Sequence, residues 1–423
     1  MASVLLIGNG AREHAIAKQV VKSGGTLYSL MDKLNPGIAR LSKEYYISSL
    51  TDLQKVKVLG NIDFAIVGPE KPLAEGVVDA IWDNFHIPSI GPNKKAAQLE
   101  SSKIYTRKIV NEAYPKANPE FYVCNTEQEI EEALKKLDYK VAVKPDSLTG
   151  GKGVKISGSH LKTNKEVLSY AKEWIDQDGV VLLEQLLVGK EFTLQAFVDG
   201  KHIQFMPLVK DYKRAYDGDK GPNTGSMGAV SCSSHSLPFL NESLLQEAKR
   251  TLEKTVLYLR DTLQILFKGV LYGQFILTDD NEVKLIEFNA RFGDPEAMNV
   301  LSLLQTNFID ICHNIIDQKL TTSEFKKEAS VCVYVVPKGY PDHPIKDTRI
   351  ELPKELVEDA YFASVYGKEN EPNNIVYTTG SRAIGILTHG KDVNTAHMLT
   401  MEKITAIKGS IEYRRDIGYD VRC

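Results

Sequence analysis

The sequence contains few cysteines, and their spacing excludes two kinds of cysteine site. Its 423 residues include 5 cysteines, and no two of them form a C-x-x-C pair. This spacing argues against a zinc site and against a disulfide framework, and it is typical of reduced thiols in a cytoplasmic protein. We therefore expect free thiols at all of these positions: Cys124, Cys232, Cys312, Cys332 and Cys423.

Long apolar runs and a strong charge of one sign are also missing. The apolar run from Val4 to Ile7 stops at Gly8, and no later run approaches the length of a membrane span, so we expect neither a signal peptide nor a transmembrane segment. The formal net charge of -3 supplies no basic field for binding nucleic acid. What remains is a globular composition, 43% hydrophobic and 25% charged, with enough length for roughly two to four domains.

The stretch LIEFNARFGDPE, from Leu285 to Glu296, places two oxygen-bearing side chains on one face of a predicted strand. Side chains alternate along a strand, so Glu287 and Asn289 point the same way. Mg²⁺ prefers oxygen ligands, usually one or two carboxylates together with the phosphates of a nucleotide. Taken alone, the pattern suits an edge strand whose polar face meets water as well as it suits a metal site.

A glycine-rich turn, IGNGAREHA, follows the first apolar strand, Ser3 to Ile7. The backbone amides of such a strand-to-helix turn attract phosphate. The turn departs from a dinucleotide fingerprint because Glu13 replaces the third glycine of G-x-G-x-x-G, so we favour a smaller phosphorylated ligand over a purely structural turn. A later strand, Phe64 to Val67, runs into Glu70 at the ligand edge of a parallel sheet, and residues up to about Gly91 resemble a small doubly wound domain.

Two lysines and a glycine loop suit the phosphates of a nucleotide. The predicted helix from Ala96 to Ile109 carries Lys103, for which a solvated surface position is the simpler interpretation. A strand ending at Lys144 leads into KPDSLTGGKGV, where one positive charge stands beside a flexible loop. The loop is not a Walker loop, since Lys152 is followed by glycine rather than Ser or Thr, and an ordinary glycine hairpin is the alternative.

The next predicted strand, Val180 to Leu183, precedes a possible adenine hinge. Glu184 closes the strand, the backbone near Leu187 offers hydrogen-bonding groups, and Glu191 could receive ribose hydroxyls. Charged residues also flank many ordinary hairpins, so this pattern alone is weak.

The second half of the chain alternates between irregular and periodic segments. Residues 210–228 have no apolar periodicity and predict a long functional loop whose Lys213 could meet phosphate or carboxylate. Gly269 to Thr278 and Val283 to Asn289 form a predicted hairpin, followed by a helix over 298–320. Short strands and a helix near 393–404 then predict a separate cap domain, in which Arg382 is either an anion contact or a surface arginine.

Six ordered segments together resemble one family: IGNGAREHA, VGPEKPLAEG, AAQLESSK, GPNTGSMGA, IEFNARFGDPE and RRDIGYDV. They are similar to the phosphoribosylamine glycine ligases of the ATP-grasp superfamily, and the likeness runs from Val4 to Val421. The resemblance implies an α/β and α+β multidomain fold. Its parts are an N-terminal doubly wound parallel-sheet domain (1–100), a central two-part ATP-grasp domain (101–324, with a mobile lid at about 118–187) and a C-terminal α/β cap domain (325–423).

The resemblance also implies a reaction and a set of site residues. ATP would activate glycine as glycyl phosphate, and the amine of 5-phosphoribosylamine would then displace phosphate. We expect a cytoplasmic monomer with small-molecule substrates, without nucleic-acid or membrane partners. The implied assignments are Glu287 and Asn289 for Mg²⁺ or Mn²⁺; Lys103, Lys144, Gly150, Gly151, Lys152, Gly153, Glu184, Leu187 and Glu191 for ATP; Arg291, Lys213 and Asp294 for catalysis; and Gly8, Asn9, Gly10, Arg12, Glu13, Glu70, Asp211, Asn223 and Arg382 for substrate.

Some positions depart from the family pattern, and two other functions compete with the implied one. Pro145 and Ser147 alter the glycine loop, Gln185 replaces a hinge glutamate, and Tyr212 replaces a histidine. A different ATP-grasp ligase would share the nucleotide residues but not the N-terminal and GPNTGSMG segments. A non-catalytic ATP-binding regulator would not need Glu287, Asn289 and Arg291 together.

Overall fold

The computed structural model describes residues 2–58, 60–148, 153–368 and 371–423. Within these residues, no helix is both long enough and apolar enough to cross a membrane. The described residues form parallel and antiparallel sheets with helices packed against them, as the sequence predicts for a mixed α/β multidomain fold.

The N-terminal part of the chain is built on a parallel sheet with strand order β3-β2-β1-β4-β5. Both faces of its central strand are buried, since Val4 and Leu6 join one apolar core while Leu5 and Ile7 join another. The elements are β1 (Ser3–Ile7), α1 (Ala11–Lys22), β2 (Thr26–Met31), α2 (Pro36–Leu41), β3 (Ser42–Ile47), β4 (Phe64–Val67), α3 (Glu70–Glu75), α4 (Val77–Phe85), β5 (Ser89–Ile90) and α5 (Gln98–Ser101).

The central part contains two antiparallel sheets. The first, of order β6-β9-β7-β8, has its own apolar core beneath two helices. Its elements, with the helix before them, are α6 (Lys103–Ala113), β6 (Phe121–Cys124), α7 (Glu127–Lys136), β7 (Val141–Lys144), β8 (Lys155–Ile156), α8 (Asn164–Asp178) and β9 (Val181–Gln185).

The second central sheet has the order β11-β10-β16-β17 and carries the stretch that begins at Leu285. The long helix α9 packs beside it with an apolar face that includes Leu244, Ala248 and Leu252. The elements of this region are β10 (Gly189–Asp199), β11 (Ile203–Phe205), β12 (Lys210–Asp211), β13 (Arg214–Tyr216), β14 (Lys220–Asn223), β15 (Gly228–Ser231), α9 (Glu242–Asp261), β16 (Lys268–Thr278), β17 (Val283–Asn289), α10 (Glu296–Leu303) and α11 (Phe308–Asp317).

The sheet of the C-terminal part runs in the order β12-β15-β18-β23-β20, so strands from the central region complete it. A smaller sheet has the order β21-β22-β19-β24. The remaining elements are β18 (Ala329–Pro337), β19 (Arg349–Glu351), β20 (Ala360–Phe362), β21 (Val365–Tyr366), β22 (Ile375–Thr378), β23 (Ile384–Gly390), α12 (Val393–Thr405), β24 (Lys408–Gly409) and β25 (Ile411–Glu412).

Two predicted helices and one predicted loop differ from the structure. The helix expected over 96–109 is interrupted at Ser102, whose side chain accepts the amide of Tyr105 and caps α6. The helix expected over 298–320 is likewise split, and Asn307 caps its second half. Residues 210–228 contain three short strands, because their backbone groups pair with β15 and with one another.

The expectation of free thiols is wrong for one pair of cysteines. Cys232 follows β15, and the last residues of the chain lie beside this strand, where Cys423 forms a disulfide with Cys232. The two cysteines are 191 residues apart in the sequence, so no local pattern indicated that they pair. Cys124, Cys312 and Cys332 are buried free thiols, as expected.

Candidate active site

Eleven of the predicted site residues line one cleft of about 860 Å³. Strands β7, β9, β12 and β17 and helices α3 and α6 supply its walls. The predicted residues that line it are Glu70, Lys103, Lys144, Glu184, Asp211, Lys213, Asn223, Glu287, Asn289, Arg291 and Asp294.

The predicted metal ligands lie together on the cleft face of β17. Glu287 pairs across the sheet with Gln274, and Asn289 pairs with Tyr272. Within the described part of the chain, the Glu287 carboxylate has no hydrogen-bond partner, and the positive charges of Lys103 and Lys213 lie near it. No cluster of three or more His, Cys, Asp or Glu among the described residues is arranged for a metal. A two-oxygen donor set fits a cation that takes its other ligands from phosphate and water.

A β-bulge just before Glu287 turns two backbone carbonyls toward buried cations. The pairing between β16 and β17 shifts between Gln274 and Phe275, which leaves Ile286 outside the regular ladder. Arg107 donates to the carbonyl of Leu285 at 2.9 Å and to that of Ile286 at 2.6 Å. The bulge therefore joins β17 to a buried arginine that the sequence did not reveal.

The carboxylate of Glu184 joins Arg107 to Lys144. It accepts Arg107 Nε at 2.6 Å and Nη2 at 2.8 Å, and Lys144 Nζ lies 2.7 Å away. Burial acts to raise the pKa of Glu184, but the two cations hold it below its ordinary value. Both carboxylate oxygens are thus occupied by cations, in place of the direct adenosine contact expected from the sequence. Glu184 instead fixes Lys144 at the cleft.

Lys103 lies at the first turn of α6 and reaches the segment after β7. Its Nζ donates to the carbonyl of Ser147 at 3.0 Å, and Asp146 accepts the hydroxyl of Ser102 and the amide of Ile104. Burial lowers the pKa of Lys103, while the nearby Glu287 acts to raise it. These contacts hold the start of the glycine loop against α6.

The glycine loop itself is only partly described. Gly150, Gly151 and Lys152 lie outside the described residues. Gly153 is buried, and its carbonyl accepts the hydroxyl of Tyr170 at 2.8 Å.

The predicted adenine hinge connects β9 to β10. Within the described residues, neither the backbone N–H nor the carbonyl of Leu187 has a hydrogen-bond partner, whereas the amides of Gln185 and Leu186 donate to the carbonyls of Glu120 and Lys140. A half-buried peptide with unpaired groups suits an adenine edge, which needs one donor and one acceptor.

Lys213 lies at the centre of a second charged cluster. Its Nζ is 2.7 Å from Glu191 and 4.0 Å from Asp211, and Gln274 donates to Glu191 at 3.0 Å. Burial acts to lower the pKa of Lys213, but the carboxylates of Asp211 and Glu191 raise it well above its ordinary value. Lys213 is therefore a fixed cation, and it is paired with only one of the two carboxylate oxygens of Glu191, Oε2.

Arg291 connects the end of β17 to the N-terminal part of the chain. Its Nη2 lies 2.8 Å from Glu100 and donates to Asn289 Oδ1 at 2.9 Å, while its Nε lies 3.4 Å from Glu70. Arg291 lowers the pKa of Glu70 to about 2. Glu100 also accepts the amide of Ala290 at 2.8 Å, so it fixes both the backbone and the side chain at this turn.

The N-terminal glycine turn does not line the cleft within the described residues, although it lies directly behind it. Glu13 accepts the amide of Gly10 at 2.6 Å and Arg12 Nε at 2.6 Å. Gly8 has φ +126°, and an added Cβ there would lie 2.6 Å from the Glu13 side chain. Arg12 donates to the carbonyl of Phe292 at 3.2 Å and approaches Glu70 at 3.9 Å. Asn9, in the same turn, accepts the Asn35 side chain through its carbonyl.

Arg382 is a connecting residue between the C-terminal part and the cleft. Its guanidinium lies 2.9 Å from the Asp294 carboxylate and donates to the carbonyls of Gly225 and Ser226. Tyr334 also donates to Asp294. These contacts occupy the guanidinium with protein groups and fix the turn after Asn223.

The important residues that the sequence reading missed are mostly positioning groups. Arg107 lies four residues after Lys103 on the same helix, so helical spacing could have identified it. Glu100 lies inside the AAQLESSK segment, three residues before Lys103. Tyr272 donates to Glu296 at 2.9 Å, and burial raises the pKa of Glu296 to about 7. No local pattern signalled this pair, because its members come from β16 and α10.

Family models match nearly the whole chain. The phosphoribosylglycinamide synthetase N domain matches residues 2–100, the ATP-grasp (A) domain of the same family matches 101–297, and its C domain matches 330–420. The chain belongs to the phosphoribosylglycinamide synthetase family. The three models follow one another in the order expected from the six sequence segments.

Individual relatives agree with the family models. A phosphoribosylamine–glycine ligase of Methanosarcina barkeri is 44% identical over 98% of this chain and 96% of its own length. The Pyrococcus furiosus enzyme of that name is 42% identical over 99% and 94%. The crystal structure of phosphoribosylamine–glycine ligase from Thermotoga maritima superposes with a TM-score of 0.83 at 26% identity, covering 98% of this chain and all of that one.

A more distant structure shows the shared fold alone. The biotin carboxylase of Campylobacter jejuni superposes with a TM-score of 0.71 at 14% identity, covering 98% of this chain and 93% of that one.

Proposed function

We propose that this protein joins glycine to 5-phosphoribosylamine at the expense of ATP, giving glycinamide ribonucleotide, ADP and phosphate. This is the second step of de novo purine synthesis. The observation that carries the proposal is a single cleft in which Lys103, Lys144 and Lys213 surround the Glu287 and Asn289 pair, in a chain that matches all three domains of the synthetase family. We propose the domain bounds 1–100, 101–324 and 325–423, with a lid at about 118–187.

ATP would lie between the central sheets. Lys144, held by Glu184, and Lys103 would contact its phosphates, and the loop containing Gly150, Gly151, Lys152 and Gly153 would cover them. The unpaired backbone groups of Leu187 suit adenine. Glu191 could receive a ribose hydroxyl through the carboxylate oxygen that Lys213 does not occupy.

Glu287 and Asn289 would hold Mg²⁺ or Mn²⁺ at the phosphates. When bound, the cation supplies neutralisation of phosphate charge and a fixed orientation of the transferred group. The free carboxylate of Glu287 beside the lysine cluster supports this assignment.

The chemistry needs two displacements in sequence. A carboxylate oxygen of glycine attacks the γ-phosphorus, the bond to the ADP oxygen breaks, and glycyl phosphate forms. The amine of 5-phosphoribosylamine then attacks the acyl carbon, phosphate leaves with the acyl C–O electron pair, and the amine releases one proton. Positioning and charge stabilisation can carry both steps without a protein nucleophile.

Arg291, Lys213, Asp211 and Asp294 would surround the glycine. Arg291 presents a forked donor beside the metal ligands and would stabilise negative charge on the phosphoryl or acyl oxygens. The fixed positive charge of Lys213 would attract the glycine carboxylate. Asp211 and Asp294 offer oxygens for the glycine ammonium.

The phosphoribosylamine would enter from the N-terminal side. Glu70 and Asn223 line the cleft and could contact it directly. We propose that the turn containing Gly8, Asn9, Gly10, Arg12 and Glu13 supports this end of the site. Arg382 would act there by holding Asp294 and the turn after Asn223.

The deciding assay is ADP formation with ATP, Mg²⁺, glycine and freshly made 5-phosphoribosylamine. The proposed function requires that ADP formation depend on both substrates and stop when the metal is chelated. Turnover with a different carboxylate or amine would indicate another ATP-grasp ligase. ATP binding without turnover under any of these conditions would indicate a regulator. We also propose that the protein is a cytoplasmic monomer. Light scattering after size-exclusion chromatography tests whether it is monomeric.

A further inference from the structure

The segment RRDIGYDV, near the end of the chain, has no role in the site described so far. Residues 413–423 form a C-terminal strap, which runs along residues 210–223, the site hairpin. The site hairpin contains β12, β13 and β14 and carries Asp211 and Lys213 into the cleft. The strap therefore lies directly behind two of the residues proposed to hold glycine.

One end of the strap grips the tip of the site hairpin. The guanidinium of Arg414 is buried, donates to Asp219 at 2.8 Å and to the carbonyl of Arg214 at 3.1 Å. Asp416 accepts the amide of Gly218 at 2.8 Å, and the amide of Arg415 donates to the side chain of Asp217 at 2.8 Å. The bonds run in both directions, so the tip is held by its backbone as well as by its side chains.

The other end of the strap grips the base of the site hairpin. Asp420 accepts the hydroxyl of Tyr212 with one carboxylate oxygen, and the other oxygen contacts the ammonium of Lys210. The strap is tied down beyond this point by the disulfide between Cys423 and Cys232. Ile417, fully buried between the two grips, packs against Gly228, where an added Cβ would lie 3.1 Å from its side chain.

The alternation of side chains along the chain explains how contacts at the base of the site hairpin affect the cleft. Lys210 and Tyr212 point to the strap, whereas Asp211 and Lys213, one position further along in each case, line the cleft. Rotating or slipping this segment by one residue would exchange the two faces. A fixed partner for Lys210 and Tyr212 therefore also fixes the direction of Asp211 and Lys213.

We propose that Asp420 is a positioning residue for glycine, acting through Tyr212 and Lys210 to hold Asp211 and Lys213 toward the cleft. The assignment rests on the proposed function, since it concerns the glycine side of that reaction. Asp420 does not touch the substrate. Tyr212 takes the place of the histidine found in the family pattern, and its hydroxyl supplies the bond to the strap.

The test compares Asp420→Ala, Tyr212→Phe and the double variant with the wild-type enzyme. We expect each single variant to lower kcat/KM for glycine about tenfold through a higher KM for glycine, because small displacements of positioned groups cost this much or more. The KM for ATP should change less than about twofold by the same reasoning, since the nucleotide residues keep their contacts. The double variant should be no worse than the poorer single variant, because Asp420→Ala already removes the contact that Tyr212→Phe removes.

Hydrogen exchange supplies a readout that does not depend on activity. Amides of residues 210–223 should exchange faster in both single variants, while those of β10 and β16 keep their wild-type protection. Tyr419→Phe is the matched tyrosine control on the strap, since Tyr419 is 64% exposed. Asp359→Ala removes an acid from a surface pair with Lys403 and is the matched acid control.

Three results would overturn the proposal. They are an unchanged KM for glycine in both folded single variants, multiplied effects in the double variant, or an equal loss for all three substrates with faster exchange throughout the molecule. A wild-type enzyme that makes no ADP with glycine and 5-phosphoribosylamine would refute the proposed function instead. Failure of the proposed function can therefore be distinguished from failure of the role proposed for Asp420.

Discussion

Arg291 donates a hydrogen bond from Nη2 to the side-chain oxygen Oδ1 of Asn289, and these two atoms are 2.9 Å apart. This is the oxygen that we propose as a metal ligand. A carbonyl oxygen has two lone pairs, so Asn289 can accept Arg291 and coordinate a cation at once. The arginine would then fix which way the amide faces, and Glu100 and Glu70 would fix the arginine.

Replacing Arg291 by lysine keeps one charge but removes the forked contacts to Asn289 and Glu100. We expect kcat to fall about 10²-fold, as on removal of a positioned donor at a charged transition state. The affinity for Mn²⁺ in the presence of ADP, measured by electron paramagnetic resonance, should weaken as well. Arg260→Lys, in an exposed pair with Asp261, is the matched control. Unchanged Mn²⁺ affinity in Arg291→Lys would show that Arg291 does not contribute to metal binding.

Glu287→Ala should remove metal-dependent turnover while leaving the fold intact. We expect kcat to fall at least about 10²-fold, because the proposed metal would lose its carboxylate ligand. The thermal midpoint should stay close to the wild-type value, since Glu287 has no hydrogen-bond partner within the described residues. Glu282→Ala, at an exposed position on the same hairpin, should keep wild-type turnover. Normal turnover in Glu287→Ala would eliminate Glu287 as a ligand.

Glu184→Gln should destabilise the protein by about 3 kcal/mol or more, because it leaves Arg107 and Lys144 buried without their counter-charge. The KM for ATP should rise too, since Lys144 loses its support. Urea unfolding measures the first effect and initial rates measure the second. Glu127→Gln, in an exposed pair with Lys172, should cost no more than about 1 kcal/mol. Equal stability of the two variants would contradict the structural role of Glu184.

The pKa of Glu70, lowered by Arg291 to about 2, predicts a dependence of stability on pH. A lowered pKa contributes stability above the ordinary value of 4.5, and this contribution is lost as pH falls from 4.5 toward 2. Because the side chain is 38% exposed, solvent screening limits the contribution to about 1 kcal/mol.

Glu70→Gln should therefore flatten this part of the curve of unfolding free energy against pH. Glu75→Gln, on the same helix and exposed, should follow the wild-type curve. A Glu70→Gln curve that also follows the wild type between pH 4.5 and 2 would show that the Arg291 pair does not stabilise the fold.

Local sequence patterns were enough to predict the face of β17 that holds Glu287 and Asn289, and the N-terminal parallel sheet. Two-residue alternation placed Glu287 and Asn289 on one face, and the parallel sheet followed from short apolar strands that run into glycine turns. The family resemblance was needed to order these pieces. It also assigned individual roles, which stay predictions until they are tested.

What the sequence did not reveal depends on contacts between distant residues. Arg107 meets Glu184, 77 residues away, and Leu285, 178 residues away, so no window of sequence contains the cluster. The interruption at Ser102 also went unrecognised, because serine occurs inside helices as well as at N-caps, although the N-cap is the position that favours it. The bulge at Ile286 becomes visible only in the pairing of β17 with β16, which lies outside the local sequence.

The sheet shared by β15 and β18 limits how the chain can be divided. Residues Gly228–Ser231 pair with Ser330–Val333 across the boundary that the sequence suggests at 325. A fragment ending before β18 would leave an apolar strand with unpaired backbone groups along one side, which is a template for aggregation. Expression of the ATP-grasp region alone is therefore expected to give insoluble material, and fusion or splitting of this protein is better attempted outside this shared sheet.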